Sequence, residues 1–267
     1  MRAYFYDNGI WTEADSLWLA LGLADSMKTA GPGPFVISLA GAGGKTSVIR
    51  RLALEAVERG LKTLVITTTH MAVPGACGVL KGGREEVEEA LKSHGLAVAG
   101  RPAGNGKMGF VGGELYQEAA PLADLALVEA DGSRRLPLKV PGDHEPVIPP
   151  HTDMLLCLSG LSSLGRPAED CCLRLERARA LMDAYGRKGY ESEGRWTIRR
   201  EDMMCLMRYG YLEPLRSRFP ETDVIPVFNQ ADTPETAEMA RQILEDMGES
   251  RGAVSGGLDQ DRSCGLF

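Results

Sequence analysis

The chain has 267 residues, 43% of them hydrophobic and 25% charged, so it can bury a substantial core and has the composition of an ordinary globular protein. Its formal net charge of -7 provides no basic surface for nucleic acid, and we expect no nucleic-acid partner. No stretch approaches the roughly 20 apolar residues that span a bilayer, and the N-terminus lacks a signal-peptide pattern. We therefore expect a cytoplasmic protein with no membrane partner.

The first 34 residues predict a helical segment that packs on the rest of the chain. Thr12 can cap a helix whose apolar face includes Leu17, Leu19 and residues 21–23. The G-P-G-P run at 31–34 then ends it. We predict that this segment and residues 35–267 form a single domain overall.

From Phe35 onward, short apolar runs alternate with helical patterns. Strands are predicted over 35–40 and 61–67, near 123–133, and from Thr152 and Thr222. Helices are predicted over 45–59, 83–95, 168–186, 199–210 and 233–248, and the glycine-rich stretch at 100–113 predicts a hairpin. This alternation predicts an α/β fold, with a mostly parallel sheet between two layers of helices.

The six cysteines, at 77, 157, 171, 172, 205 and 264, include no C-x-x-C pair. Their spacing does not suggest a metal site, and they fit a reducing compartment. The adjacent pair Cys171 and Cys172 is most simply interpreted as buried small hydrophobes, with a redox or soft-atom site as the alternative.

A glycine-rich loop lies between the first of these strands and its helix, which is the context of a phosphate-binding loop. Its residues are Gly41, Ala42, Gly43, Gly44, Lys45, Thr46 and Ser47. Backbone N–H groups and the helix dipole favour an anion at this position, Lys45 can offset phosphate charge, and the Thr46 hydroxyl suits Mg²⁺. Residues 35–267 are thus predicted to be a P-loop nucleotide-binding domain, and the alternative is a structural glycine turn.

The long phosphate-loop pattern G-x-x-x-x-G-K-[ST] requires a glycine at the position of Leu39. We interpret Leu39 as the last buried residue of the strand, with a shorter loop that begins at Gly41. This short form resembles the G-T-x-G-K-T loop of the Mur ligases.

Two carboxylates, Glu129 and Asp131, follow the apolar run at 125–128 and project to the same side of the chain. One can hold Mg²⁺ together with Thr46, and the other can orient a water or an acceptor. The alternative is that they only mark the point where a buried strand reaches solvent.

Threonines 67–69 and His70 end another strand, where ligands of parallel sheets bind. His70 is a candidate for phosphate or acceptor contact, or for proton transfer. Equally, this run can cap a helix or fill the end of the strand.

A proline-rich basic loop follows the carboxylates, and four prolines within 141–150 stiffen it. It is a candidate binding site for an anionic substrate group. A packed surface crossover with solvated charges is an equal alternative. The candidate substrate-binding residues are Arg134, Arg135, Lys139, His144 and Glu145.

Asn229 and Asp232 follow a buried strand at the position where GTPases carry Asn-Lys-x-Asp. Asp232 would pair with guanine and Asn229 would brace the loop, although Gln230 replaces the lysine that stacks on the base. A helix-capping turn before Thr233 and Pro234 is the alternative, and both ATP and GTP stay open as the nucleotide.

These motifs, "SLAGAGGKTS", "ITTTH", "VEADGSRRLPLKVPGDHEPVIP" and "FNQAD", occur in an order that resembles the YqeC family, accessory proteins of selenium-dependent hydroxylases. The resemblance covers most of residues 35–232. It implies a P-loop NTPase-like protein that assists maturation of selenium-dependent molybdenum hydroxylases, with such an enzyme or its cofactor as a partner.

The leading hypothesis is a Mg²⁺-dependent nucleoside-triphosphate-binding protein that acts as a slow hydrolase or phosphotransferase. Its candidate catalytic residues are Lys45, Glu129, Asp131 and His70, and the candidate metal ligands are Thr46, Glu129 and Asp131. Two alternatives stay open: an ATP-dependent ligase or small-molecule kinase with an anionic acceptor, and a nucleotide-gated chaperone or scaffold without turnover.

Overall fold

A computed structural model describes residues 2–192 and 194–258 of the chain. Its largest element is a ten-stranded sheet. The strands of this sheet are β1 (Arg2–Asp7), β2 (Ile10–Ala14), β3 (Phe35–Gly41), β4 (Thr63–Thr67), β5 (Gly78–Val79), β6 (Leu96–Ala99), β7 (Leu125–Glu129), β8 (Met154–Gly160), β9 (Asp223–Asn229) and β10 (Arg251–Gly256).

The strand order across the sheet is β2-β1-β10-β9-β8-β3-β7-β4-β6-β5. The strands from β10 to β5 run parallel, and the hairpin of β1 and β2 joins antiparallel at the β10 edge. The prediction of a mostly parallel sheet flanked by helices is confirmed. Because β3 lies between β7 and β8, the segments that follow these three strands meet at one end of the sheet.

The helices connect these strands. They are α1 (Leu17–Ala20), α2 (Leu23–Thr29), α3 (Lys45–Glu58), α4 (Arg84–His94), α5 (Gly113–Ala119), α6 (Ala168–Cys171), α7 (Leu175–Ala184), α8 (Arg200–Met207), α9 (Glu213–Arg218) and α10 (Pro234–Asp246). Thr233 caps α10 and Pro234 begins it, as predicted. In the part of the chain that the structure describes, no helix is both long and apolar enough to cross a bilayer.

Apolar side chains of β3 alternate between the two faces of the sheet, and each face is covered by helices. Ile37 and Leu39 pack in one core with α1 and α3, whereas Ala40 packs in a second core with α8 and α10. A third core lies under α4 and α5, around residues of β4 and β7. This burial on both faces is why the parallel strands are continuous apolar runs.

The N-terminal segment is only partly helical, which corrects the prediction for residues 1–34. Residues 2–14 form a β-hairpin, and Thr12 lies within β2 and caps no helix. Asn8 and Gly9 make the turn with φ of 46° and 86°, the conformation that Asn-Gly hairpin turns need. Helix α1 starts later, where the Ser16 side chain accepts a hydrogen bond from the Leu19 N–H.

A carboxylate from α3 fastens α1 to the rest of the fold. Glu55 is buried, and its two oxygens accept hydrogen bonds from the backbone N–H groups of Leu17, at 3.2 Å, and Trp18, at 2.7 Å. These N–H groups belong to the first turn of α1 and have no partner within that helix. Glu55 therefore joins the N-terminal segment to the helix that follows the glycine loop.

The predicted helix over 168–186 is two helices, α6 and α7. Between them, Cys172 and Leu173 pair as a short strand with Leu138 and Lys139 of the proline-rich loop. Arg174 then has a φ of 65°, a conformation that cannot continue a helix. Backbone pairing with a distant loop thus overrides the helical pattern of this stretch.

Candidate nucleotide-binding site

The glycine loop connects β3 to α3 at the end of the sheet where β7, β8 and β9 also end. Three of its glycines, Gly41, Gly43 and Gly44, have positive φ of 100°, 84° and 109°, a region that other residues rarely adopt. Strand β3 runs to Gly41, so Leu39 is buried inside the strand and is not its last residue. The loop therefore begins after Gly41, slightly later than predicted.

Close packing leaves no room for a Cβ atom at any of these three glycines, and one at Gly41 would lie 2.2 Å from the Leu158 carbonyl oxygen. A Cβ atom at Gly43 would lie 2.2 Å from the Gly160 nitrogen, and one at Gly44 would lie 2.4 Å from the Asn229 side-chain nitrogen. The loop therefore packs directly on the ends of β8 and β9. A loop held by its neighbours in this way has little conformational entropy to lose when it binds a ligand.

Thr46 and Glu129, predicted as metal ligands, lie together at the start of α3. The Thr46 hydroxyl donates to Glu129 Oε2 at 2.9 Å. Thr46 is exposed, whereas Glu129 is buried. Burial raises the pKa of the Glu129 carboxyl above its ordinary value, and the charge of Lys45 and the Thr46 hydrogen bond offset this only partly.

Asp131 lies beside this pair but is occupied by other groups. Its Oδ1 is 3.1 Å from Lys45 Nζ, its Oδ2 is 2.8 Å from Lys139 Nζ, and both oxygens accept from the Gly41 N–H. The Tyr211 hydroxyl lies 3.4 Å from Oδ2. Asp131 is fully buried, so the structure gives it the position of an anchor for two lysines and does not favour it as a metal ligand.

Lys45, predicted to bind phosphate, is also buried and donates to the carbonyl oxygen of Gly41 at 2.6 Å. Its ammonium group therefore rests between the loop backbone and Asp131. Burial of a charged side chain requires such partners.

Two residues of the predicted substrate-binding loop turn inward and belong to the same network. Lys139 Nζ contacts Glu145 Oε2 at 2.7 Å and the Gly132 carbonyl oxygen at 2.8 Å, in addition to Asp131. Arg174 pairs with the other oxygen of Glu145 at 2.8 Å. Burial raises the pKa of Glu145, but the hydrogen bonds from Lys139 and Arg174 outweigh it, and the pKa is lowered. Lys139 thus pairs directly with Asp131, and Glu145 joins the network through Lys139.

The remaining candidates of that loop face solvent. Arg134, Arg135 and His144 are exposed, and the two arginines have positive φ of 52° and 63°. His70 is exposed as well and lies in the strand His70–Ala72, which pairs with Lys107–Gly109 of the predicted hairpin. Within the described ranges, none of these side chains has a hydrogen bond to the loop of Gly41–Ser47.

The threonines that precede His70 contact the carboxylate strand directly. The Thr68 N–H and hydroxyl donate to the Glu129 carbonyl oxygen at 3.0 and 3.2 Å. The Thr67 hydroxyl reaches the same oxygen at 3.3 Å. This run fixes the backbone that carries Glu129.

Asn229 braces the glycine loop, as predicted for it. Its side-chain nitrogen donates to the Gly43 carbonyl oxygen at 2.7 Å, and its oxygen accepts from the Ser255 hydroxyl at 2.9 Å. Asp232 lies beyond it, exposed, and accepts from the Gly257 N–H at 2.8 Å.

Three residues of this site were missing from the sequence predictions. Tyr211 reaches Asp131 from the π-helical turn Arg208–Leu212, and Arg174 reaches Glu145 from a position within the predicted helix over 168–186. Neither has a local signal. Ser255 was detectable, because it follows the apolar pair at 253–254 and precedes two glycines, the pattern of the end of a parallel strand.

The donor set suits a magnesium nucleotide. Among residues 2–192 and 194–258, no cluster of three or more His, Cys, Asp or Glu side chains could hold a metal ion alone. Mg²⁺ typically takes one or two protein oxygens and completes its shell with phosphate and water. Thr46 and Glu129 supply two such oxygens beside the glycine loop.

The adjacent cysteines are not part of this site. Burial raises the pKa of Cys171 to about 11 and that of Cys172 to about 12, and both pack in a core with Trp196. Thiols that stay protonated at neutral pH are poor nucleophiles and metal ligands. Cys264 lies outside the described residues.

Comparison with known proteins gives three findings. The sequence profile described as "YqeC protein" matches residues 37–176, slightly more than half of the chain. The "Uncharacterized protein YqeC" of Escherichia coli (strain K12) is 35% identical over 141 residues, a match that spans 49% of this chain and only 54% of that relative. A solved structure with a loose likeness is that of the signal recognition particle 54 kDa protein from Aeropyrum pernix K1 in complex with GDP. The match covers 91% of this chain and 46% of that protein's chain, with 13% sequence identity and a TM-score of 0.38.

Proposed function

The chain belongs to the YqeC family, and from this premise we propose that it binds a nucleoside triphosphate with Mg²⁺ at the loop Gly41–Ser47. In this proposal it hydrolyses the nucleotide or transfers its phosphoryl group slowly. It serves as an accessory factor in the maturation of selenium-dependent molybdenum hydroxylases.

The observation that carries the proposal is the 2.9 Å contact between the exposed Thr46 hydroxyl and Glu129 at the start of α3. A hydroxyl and a carboxylate are hard oxygen donors, and they lie where backbone N–H groups and the helix dipole favour phosphate. Thr46 and Glu129 would hold Mg²⁺, which when bound neutralises phosphate charge. Asn229 holds the loop in this shape through its hydrogen bond to the Gly43 carbonyl oxygen.

Lys45 can turn to a phosphate without leaving Asp131 unpaired. Asp131 contacts Lys139 at 2.8 Å and the Gly41 N–H in addition to Lys45. If Lys45 exchanges the Gly41 carbonyl oxygen and Asp131 for phosphate oxygens, the buried carboxylate keeps a cation. The electrostatic cost of this exchange is therefore small.

Turnover should be slow because neither Glu129 nor Asp131 is free to act as a base. Asp131 has both oxygens engaged by lysines and backbone, and Glu129 is assigned to Mg²⁺. No free base is then assigned to the attacking water or acceptor, so catalysis relies on positioning and charge stabilisation. The exposed Arg134, Arg135 and His144 supply cationic and polar groups for an anionic acceptor or partner.

The test is calorimetric titration of ATP and GTP, with Mg²⁺ and with chelator, into wild type, Thr46→Val and Lys45→Ala. Thr46→Val is close in shape and exposed, so it should fold and lose the Mg²⁺-dependent part of the affinity, while Lys45→Ala should lose nucleotide binding. The control is Thr222→Val, whose hydroxyl donates to Thr152 at the opposite end of the sheet. Wild-type affinity in Lys45→Ala, or no binding by wild type, contradicts the proposal.

The accessory role is tested by measuring phosphate release alone and with a purified selenium-dependent molybdenum hydroxylase. We expect slow release that the hydroxylase accelerates. Equal rates in both mixtures, with no nucleotide-dependent association between the proteins, would contradict this part of the proposal.

A further inference from the structure

The segment after β9 is fixed to the glycine loop. Asn229, which is buried, links Gly43 of the loop to Ser255 at the end of β10 through two side-chain hydrogen bonds. The next turn follows at Gln230, whose φ is 65°, and Ala231 is tied to β10 by a hydrogen bond to the Ser255 carbonyl oxygen at 3.0 Å. Residues 229–231 therefore have one defined position relative to the phosphate site.

Asp232 is carried by this fixed segment, and it is exposed at the same end of the sheet as the glycine loop. The Gly257 N–H donates to Asp232 Oδ1 at 2.8 Å and orients the carboxylate. A Cβ atom at Gly256 would lie 2.1 Å from the Ala231 carbonyl oxygen, so the segments at 231 and 256 are in direct backbone contact. In the described residues, the structure gives Oδ2 no hydrogen-bond partner.

The helix-capping turn before Thr233 and Pro234 is present, but the Asp232 side chain is not the cap. The side chain that caps α10 is that of Thr233, whose hydroxyl accepts from the Thr236 N–H at 3.3 Å. The Asp232 carboxylate instead accepts a hydrogen bond from the Gly257 N–H.

The chemistry of a carboxylate distinguishes the purine bases. An ionised carboxylate only accepts hydrogen bonds. Guanine presents two adjacent donors, the N1–H and the 2-amino group, whereas adenine presents an acceptor at N1 and no amino group at C2. A carboxylate therefore binds the guanine edge and is repelled by the lone pair of adenine N1.

We infer that the base read at this site is guanine, with Asp232 as its specificity-determining residue, held in place by Asn229 and Gly257. The inference rests on the proposed function, since it names the nucleotide of that same loop. It also gives the Asn229 brace a purpose, because the phosphate loop and the base reader must keep one separation to fit one nucleotide.

The test is titration of GTP, ATP and XTP, each with Mg²⁺, into wild type and Asp232→Asn. Xanthine has a carbonyl oxygen in place of the 2-amino group, so an amide at 232 offers it both an acceptor and a donor. Asparagine can still accept from the Gly257 N–H, so the fold should be kept. The control is Glu235→Gln, which removes the same charge from an exposed residue one position into α10.

We expect wild type to bind GTP at least about tenfold tighter than ATP, and Asp232→Asn to lose about 10- to 150-fold in GTP affinity and to gain XTP binding. Glu235→Gln should behave as wild type. Equal affinity of wild type for ATP and GTP, or an unchanged preference in Asp232→Asn, overturns the guanine assignment and leaves the nucleotide site intact. Absence of binding of every nucleotide to wild type overturns the proposed function itself, and the inference with it.

Discussion

Thr46 donates its hydroxyl to Glu129 at 2.9 Å, and of the two side chains only Thr46 is exposed to solvent. Burial raises the pKa of the Glu129 carboxyl. Between its ordinary pKa and this raised value, the folded state binds the proton and the unfolded state releases it. The free energy of unfolding therefore falls as pH rises through this window, and the loss persists above it.

Glu129→Gln should accordingly stabilise the protein at neutral pH, remove this pH dependence, and weaken Mg²⁺-dependent nucleotide affinity by on the order of 10- to 100-fold. Urea unfolding at a series of pH values from acid to neutral, combined with calorimetric titration, measures both effects. Glu114→Gln, at an exposed glutamate of α5, is the control. A variant that is less stable than wild type at neutral pH would show that Glu129 is a stabilising group.

Gly43 and Gly60 have nearly the same positive φ, 84° and 78°, but different surroundings. A Cβ atom at Gly43 would lie 2.2 Å from the Gly160 nitrogen, whereas one at Gly60 has no atom within 4 Å. Gly60→Ala should cost about 1–2 kcal/mol for the backbone conformation alone. Gly43→Ala should cost clearly more and should abolish nucleotide binding. If thermal and urea unfolding show the same loss of stability for Gly43→Ala and Gly60→Ala, the loop can move away from β8 and the prediction is wrong.

Asp131 compensates two buried lysines, Lys45 and Lys139. Asp131→Asn leaves both cations without this charge, and we expect it to lower the free energy of unfolding by about 3–5 kcal/mol. The matched control is Asp25→Asn, which breaks the exposed pair with Lys28 and should have no measurable effect. If urea unfolding gives similar values for the two variants, Asp131 is not the anchor that the geometry indicates.

The sequence was a sufficient guide where the relevant pattern is local. A strand, a glycine loop and a helix follow one another within 35–58, so this strand–loop–helix unit could be predicted from spacing alone. The meeting of Thr46 with Glu129 also followed, because carboxyl ends of parallel strands share one edge of a sheet. Asn229 was singled out by a different signal, the position at which GTPases carry Asn-Lys-x-Asp.

The inward turn of Lys139 and Glu145 could not be predicted in this way. Charged residues in a proline-rich loop are ordinarily solvated, and their burial here depends on Asp131 and on Arg174, which lies 29 residues beyond Glu145. Such pairings are decided by tertiary contacts. The N-terminal hairpin is a different case, since its Asn8-Gly9 turn was visible but the leucines after it suggested a helix.

The two hydrogen bonds that Glu55 accepts from Leu17 and Trp18 bear on how the chain unfolds. Glu55 lies on the same helix as Lys45, so loss of α1 would leave a buried carboxylate without its amide partners about three turns along α3 from the glycine loop. Loss of β1 would also uncover the edge of β10, next to the strand that carries Asn229. We therefore expect the first 34 residues and the glycine loop to unfold as one cooperative unit, so that local opening at the N-terminus reaches the loop.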